Sequence, residues 1–212
     1  MARVDFYFDC GSPWTYLAYH NIQPLAAELG FDIAWKPILV GGIFNQINQG
    51  VYAARANPVP QKWAYNAKDL ADWARYSGLK IVWKPKVFPV NSVKVMRGCL
   101  VAQRDGRLGD FATATFEAYW GDDLDISQDD VLREICRRAG YDADRLFTGI
   151  AEPVIKDRLR ELTDEVIARG GFGSPTMILV DDEGRDDLFF GNDRLPLLRA
   201  AVERLAASGA TK

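Results

Sequence analysis

Chemical potential concentrates in three short stretches. In DCGSPWTYLAY, residues 9–19, Ser12 stands before Pro13 where an apolar run gives way to helical spacing. A helix start leaves backbone N–H groups unpaired and carries partial positive charge, so an anion is stabilised there. Proline suits the first helical position because it has no N–H to leave unpaired. Ser12 is then the N-cap, with its hydroxyl where an anion would lie, although serine before proline is also an ordinary helix start. In GGFGSPTMILV, residues 170–180, Pro175 directly precedes a strand-like run. Proline cannot donate to a sheet ladder. A cis Ser174–Pro175 bond would account for it and would leave the Ser174 N–H and C=O to pair with an extended peptide; a trans proline opening the strand fits the spacing as well. In FFGNDRLP, residues 189–196, Gly191 allows a turn and close approach to a ligand. Asn192 and Asp193 then open the last helix, either as caps or as partners for a ligand carrying both an amine and a carboxylate.

Bulk properties narrow the function classes. The chain has 212 residues, 48% apolar and 26% charged, enough for one large domain or one domain with an insertion. A net charge of -3 disfavours nucleic acid, because phosphate binding wants a cationic stripe, and Arg137-Arg138 alternate with acids as on a solvated helix face. No run of about 18 apolar residues predicts a membrane span. Asp5 and Asp9 interrupt the first apolar stretch, so no signal peptide is expected. Cys10, Cys99 and Cys136 form no CxxC pair and no zinc-like cluster, which predicts no metal and a reducing, cytoplasmic setting. The single histidine, His20, lies about 12 Å along the helix from Ser12, too far for a Ser-His-Asp arrangement, and reads as a helix-surface or partly buried residue.

The elements that must position these stretches follow from periodicity. Residues 3–8 alternate, with Val4, Phe6 and Phe8 on one face of a strand. Helical spacing runs from Pro13 through Leu29 to a closing Gly30, and FDIAWKPIL alternates again, giving strand, helix, strand. Residues 41–60, rich in Gly, Asn and Pro, read as an irregular crossing loop. Helices are predicted at 61–77, about 92–105, 109–120, 127–139 and 152–169, with Ser127 and Asp130 resembling a capping signal. Two strands around a turn at Asp182-Glu183-Gly184 and a last helix, Leu195 to Ala207, complete the chain. The order predicts an α/β domain interrupted by a helical insertion.

Taken together, FYFD…SPWTYLA, PVPQKWAYNAKDLADWA, FPVNSVKVMRG, GGFGSPTM and FFGNDRL resemble the thioredoxin-like superfamily, and within it the 2-hydroxychromene-2-carboxylate isomerases and kappa-class glutathione transferases. The resemblance implies a thioredoxin-like fold from residues 1–40 plus 170–212, an all-helical insertion at 41–169, and a homodimer. Related disulfide oxidoreductases carry Cys-Pro-x-Cys at this helix start. Here the slot reads Ser12-Pro13-Trp14-Thr15, so the thiol must come from outside, and the family supplies it as glutathione. Ser12 matches the family's active-site serine, donating to the glutathione sulfur. Ser174, before Pro175, would pair with the backbone of the glutathione cysteine, Gly191, Asn192 and Asp193 would hold the γ-glutamyl group, and Lys62 a carboxylate. Asn45 and Asn91 fall near positions facing a small aromatic second substrate. Cys10 is expected to face the core, and Trp14, Trp63, Trp83 and Trp120 are candidates to line an apolar pocket, with core packing the default for each. The loop QGVYAARANPVPQK departs from the family's Gly-Asn-x-Pro-Pro, which bears on substrate identity. The implied activity is glutathione-dependent isomerisation of an aromatic α-keto acid, the alternative a transferase or peroxidase using the same thiolate. The missing CxxC argues against a disulfide oxidoreductase; a non-catalytic interaction module is the remaining reading.

Overall fold

A computed structural model describes residues 2–181 and 183–209; Asp182 of the expected turn lies outside them. The element order is β1 (Arg3–Phe8), α1 (Pro13–Leu29), β2 (Asp32–Pro37), α2 (Val40–Ile47), α3 (Gly50–Ala56), α4 (Pro60–Tyr76), α5 (Val93–Arg104), α6 (Leu108–Phe116) with a π-helical turn at Glu117–Gly121, α7 (Asp129–Arg138), α8 (Ala143–Ala151), α9 (Pro153–Ala168), β3 (Thr176–Val180), β4 (Asp186–Phe190), a 3-10 turn at Asn192–Arg194, and α10 (Leu195–Gly209). The sheet runs β2-β1-β3-β4. β1 pairs parallel with β2, Phe6 opposite Trp35, and antiparallel with β3, Phe6 opposite Met177. The expected α/β fold, interrupted by helices between β2 and β3, is the observed one.

β1 is buried on both faces from Val4 to Phe8, not on one. The alternation points Val4, Phe6 and Phe8 one way, but Asp5 and Tyr7 are covered too. Arg169, just past α9, donates to Asp5 Oδ2 at 2.6 Å and to the Tyr7 hydroxyl at 2.7 Å. A buried carboxylate is tolerable only with such a partner. α1 starts at the Ser12 cap and ends at Gly30, whose φ of 68° suits glycine and whose N–H reaches Ala26 O at 2.9 Å.

Three expectations fail for identifiable reasons. Residues 41–60 are not an irregular loop; they carry α2, α3 and the start of α4. Gly41, Gly42 and Asn45 have weak helix propensity, but Ile43 is fully buried and a Cβ on Gly42 would lie 3.1 Å from Thr163 Cγ2 on α9. Packing overrides propensity there. α8 is an additional helix, capped by Asp142, which accepts from the N–H groups of Asp144 and Arg145. Ser127 does not cap α7: its hydroxyl donates to Asp125 at 2.7 Å, and α7 starts at Asp129 without a side-chain cap.

The helical core has little slack. A Cβ on Gly98 of α5 would lie 2.8 Å from the Phe111 ring of α6. Gly98→Ala is expected to destabilise the protein by about 1–3 kcal/mol through overpacking, despite alanine's better helix propensity, seen as a lower urea midpoint with unchanged m-value.

Candidate active site

Ser12 lies between the end of β1 and the first turn of α1. Its Oγ accepts the Thr15 N–H at 3.3 Å, as an N-cap does, and donates to the Ser174 carbonyl at 3.2 Å. The Ser174–Pro175 peptide is cis, as is Phe88–Pro89, which nothing in the sequence reading singled out. Ser174 Oγ accepts the Asp9 N–H at 2.9 Å and exchanges a hydrogen bond with Thr15 Oγ1 at 2.8 Å. The Ser174 N–H donates to no group among the described residues.

Beneath this group lies Asp9, completely buried. Its carboxylate accepts the N–H of Gly11 at 2.8 Å, the N–H of Val40 at 2.9 Å and the hydroxyl of Ser92 at 3.0 Å. These belong to the loop before α1, the first turn of α2 and the entry to α5. Burial pushes the Asp9 pKa above its ordinary value, against the downward pull of the three donors.

Ser12 and Ser174 open into a cavity of about 410 Å³. Phe44, Trp63, Phe88, Phe172 and Phe190 wall it, together with Trp14, Trp83 and Trp120. Trp120 keeps the default of core packing, buried with its indole N–H on the Cys10 carbonyl at 2.8 Å while also edging the cavity, whereas Trp14, Trp63 and Trp83 are not fully buried and line it. Trp63 and Trp83 meet edge to face at 5.2 Å. Two cations, Arg55 and Lys84, also line it, and no carboxylate does among the described residues. Lys84 has a φ of 55°, unusual for a residue with a side chain. Cys10 is fully buried, with burial pushing its thiol pKa up, so it packs as a core residue. His20 is exposed on α1. Among the described residues no group of three or more His, Cys, Asp or Glu could hold a metal, and no helix is long and apolar enough to cross a membrane.

The other expected positions lie around this cavity rather than in its wall. Lys62, in the first turn of α4, is exposed beside Trp63. Asn45 accepts the Tyr52 hydroxyl at 2.8 Å, and Asn91 accepts the Val93 N–H at 3.1 Å. Gly191 has a φ of 99°, and a Cβ there would come within 2.8 Å of Asp193 Oδ1. Its N–H donates to the Pro175 carbonyl at 3.2 Å, tying the two loops together. The Asn192 side chain is buried toward α1, accepting from Asn21 at 3.0 Å, while Asp193 pairs with Arg194 at 3.1 Å. Asn192 thereby borders a separate cleft of about 560 Å³ between α1, α4 and α10. Sequence reasoning missed Asp9, Arg55 and the phenylalanines of the wall, and named its four tryptophans only as an alternative to core packing. For Asp9 a signal existed, since a carboxylate ending an apolar strand and followed by Cys-Gly is unusual at a buried position.

The raised Asp9 pKa makes the native state the tighter proton binder. The contribution of this group to stability therefore falls as pH rises from its ordinary value of 3.8 through its native value. The stability of the wild type relative to Asp9→Asn, from urea melts across that range, is expected to decline with rising pH.

The comparisons with known proteins agree with this geometry. The DSBA-like thioredoxin domain matches residues 3–203. The 2-hydroxychromene-2-carboxylate isomerase of Pseudomonas sp. (strain C18) is 30% identical over 208 residues, covering 97% of this chain and 92% of the relative. Glutathione S-transferase kappa 2 of Caenorhabditis elegans is 28% identical, covering 91% of this chain and 88% of the relative. A solved 2-hydroxychromene-2-carboxylate isomerase superposes with a TM-score of 0.79 at 27% identity, covering 99% of this chain and 98% of the other. With its serine at the mouth of α1 and a cis proline beside it, the chain belongs to the DSBA-like thioredoxin domain family and, within it, to the 2-hydroxychromene-2-carboxylate isomerase family.

Proposed function

We propose that the protein is a glutathione-dependent isomerase of 2-hydroxychromene-2-carboxylate or a similar aromatic α-keto acid. The carrying observation is a capping serine at a helix mouth, facing an aromatic, carboxylate-free cavity whose neighbouring thiol, Cys10, is buried out of reach. Bound glutathione supplies a thiol whose reversible addition to a conjugated carbon turns a double bond into a single bond, permits rotation, and is undone by elimination.

The chain's own residues orient and activate. Ser12 Oγ, held by the Thr15 N–H, has the Ser174 carbonyl at 3.2 Å as its one acceptor among the described residues. Turning that proton toward a sulfur anion costs one neutral hydrogen bond and forms a charge-assisted one of about 1.5–3 kcal/mol. The helix start adds about 0.3–1 kcal/mol. Less about 1 kcal/mol for the lost neutral bond, about 1–3 kcal/mol remains, which would bring a thiol near 8.5 down to roughly 6.5–8 and ionise a substantial fraction at neutral pH without a histidine. The unused Ser174 N–H fits the main chain of the tripeptide's cysteine. Gly191, Asn192 and Asp193 take the γ-glutamyl group, Asn192 through its main chain because its side chain is turned to Asn21. Lys62 meets a carboxylate, and Asn45 and Asn91 approach the second substrate from outside the aromatic wall. On this reading residues 1–40 plus 170–212 hold glutathione, the helices of 41–169 supply most of the substrate wall, and the protein works as a cytoplasmic homodimer. The kappa-class relative supports a second reading, transfer of the same thiolate to a neutral electrophile or peroxide.

Titration of bound glutathione by thiolate absorbance tests the serine. The wild type is expected to ionise it at roughly 6.5–8, and Ser12→Ala to shift it back toward the free value with about a tenfold loss of isomerisation rate at neutral pH. An unchanged titration and rate in Ser12→Ala would remove Ser12 from the mechanism.

A further inference from the structure

Arg55 is the cation of the cavity with the most constrained setting. Its guanidinium carbon lies 5.5 Å from the Phe44 ring centroid and 5.5 Å from that of Phe88. Phe44 belongs to α2, and Phe88 precedes α5, so two separate elements present ring faces to one guanidinium. Both distances fall within cation–π range. Many of the other surface arginines find carboxylates: Arg145 holds Asp105 at 2.6 Å, and Arg199 holds Glu28 at 2.7 Å. Arg55 holds none among the described residues, and no hydrogen bond engages its N–H groups. A guanidinium against ring faces keeps its N–H edge free, and that edge matches a carboxylate in bidentate geometry.

The cavity supports the same chemistry. It is lined by aromatic rings and two cations with no acid to neutralise them, so it favours a planar anion over a neutral aromatic of the same shape. Arg55 also sits on α3, inside the stretch QGVYAARANPVPQK that departs from the family's loop, so the resemblance assigns it nothing.

We propose that Arg55 binds the carboxylate of the second substrate and selects aromatic carboxylates over neutral electrophiles at this site. The proposal rests on the reading that glutathione sulfur lies at Ser12, because that places the reacting carbon in this cavity. It also separates the two activities above: an arginine dedicated to the carboxylate favours isomerisation of a keto acid over transfer to an uncharged electrophile.

The test uses tryptophan fluorescence, since four tryptophans line the cavity. trans-Cinnamate and its neutral amide are titrated into the wild type, Arg55→Gln and Arg55→Lys, with and without glutathione, and glutathione binding is measured separately by calorimetry. The wild type is expected to bind cinnamate about tenfold or more tightly than cinnamamide. Arg55→Gln, at an exposed helix position and with an unchanged urea midpoint, is expected to bind the two alike while keeping the wild-type glutathione affinity; Arg55→Lys is expected to restore part of the preference. A cinnamate preference that survives in Arg55→Gln overturns the proposal. So does a glutathione affinity that falls by a similar factor, which would place Arg55 on the tripeptide. A wild type that ignores glutathione but shows an Arg55-dependent preference for cinnamate refutes the glutathione reading and leaves the carboxylate site standing.

Discussion

The site depends on the Asp9 carboxylate. Fully buried, it accepts hydrogen bonds from Gly11, Val40 and Ser92, and the Asp9 N–H donates to Ser174 Oγ. One residue thus joins the end of β1 to the mouth of α1, the start of α2, the entry to α5 and the loop before β3. Each of those segments contributes to the cavity: Ser12 from the first, Phe44 from α2, Phe88 from the segment leading to Ser92, and Ser174 from the last. Isolated buried carboxylates are costly. This one is retained at a point where three donors need a common acceptor, and its raised pKa shows that burial outweighs them.

Around that hub, the chemistry needs few groups. The N-cap role of Ser12 and its proposed role toward sulfur are the same geometry, because a cap hydroxyl already stands where helix N–H groups favour an anion. A thiolate activated this way needs no general base, which suits a chain with one histidine, exposed and remote. The loops at the end of β1 and before β3 supply Ser12 and Ser174. The segment between β2 and β3 supplies Phe44, Arg55, Trp63, Phe88 and Trp120, and with them the proposed selectivity for a flat, charged partner.

Legibility in the sequence followed the range of the physics. Ser12-Pro13 and Gly30 were readable because helix caps are set by neighbours a few residues away. Pro175 before a strand raised the cis bond that is observed, although its spacing suited a trans proline equally well. The helix α2 was not readable, since Gly41 and Gly42 argue against helix and only burial of Ile43 and the close approach of Gly42 to α9 decide otherwise. The direction of the tryptophans was equally hidden. Trp63 has helical spacing on α4 that fits a core, yet it meets Trp83 in the wall of the cavity. Arg55 carried no local signal at all, because its character comes from two rings 11 and 33 positions away, as the numbers of Phe44 and Phe88 show.

The most direct measurement is a crystal structure of the protein with glutathione. The account requires the tripeptide's sulfur within hydrogen-bonding distance of Ser12 Oγ, with the cysteine main chain on Ser174 and the sulfur open to the aromatic cavity. Glutathione seated elsewhere, or with its sulfur turned away from Ser12, would contradict it.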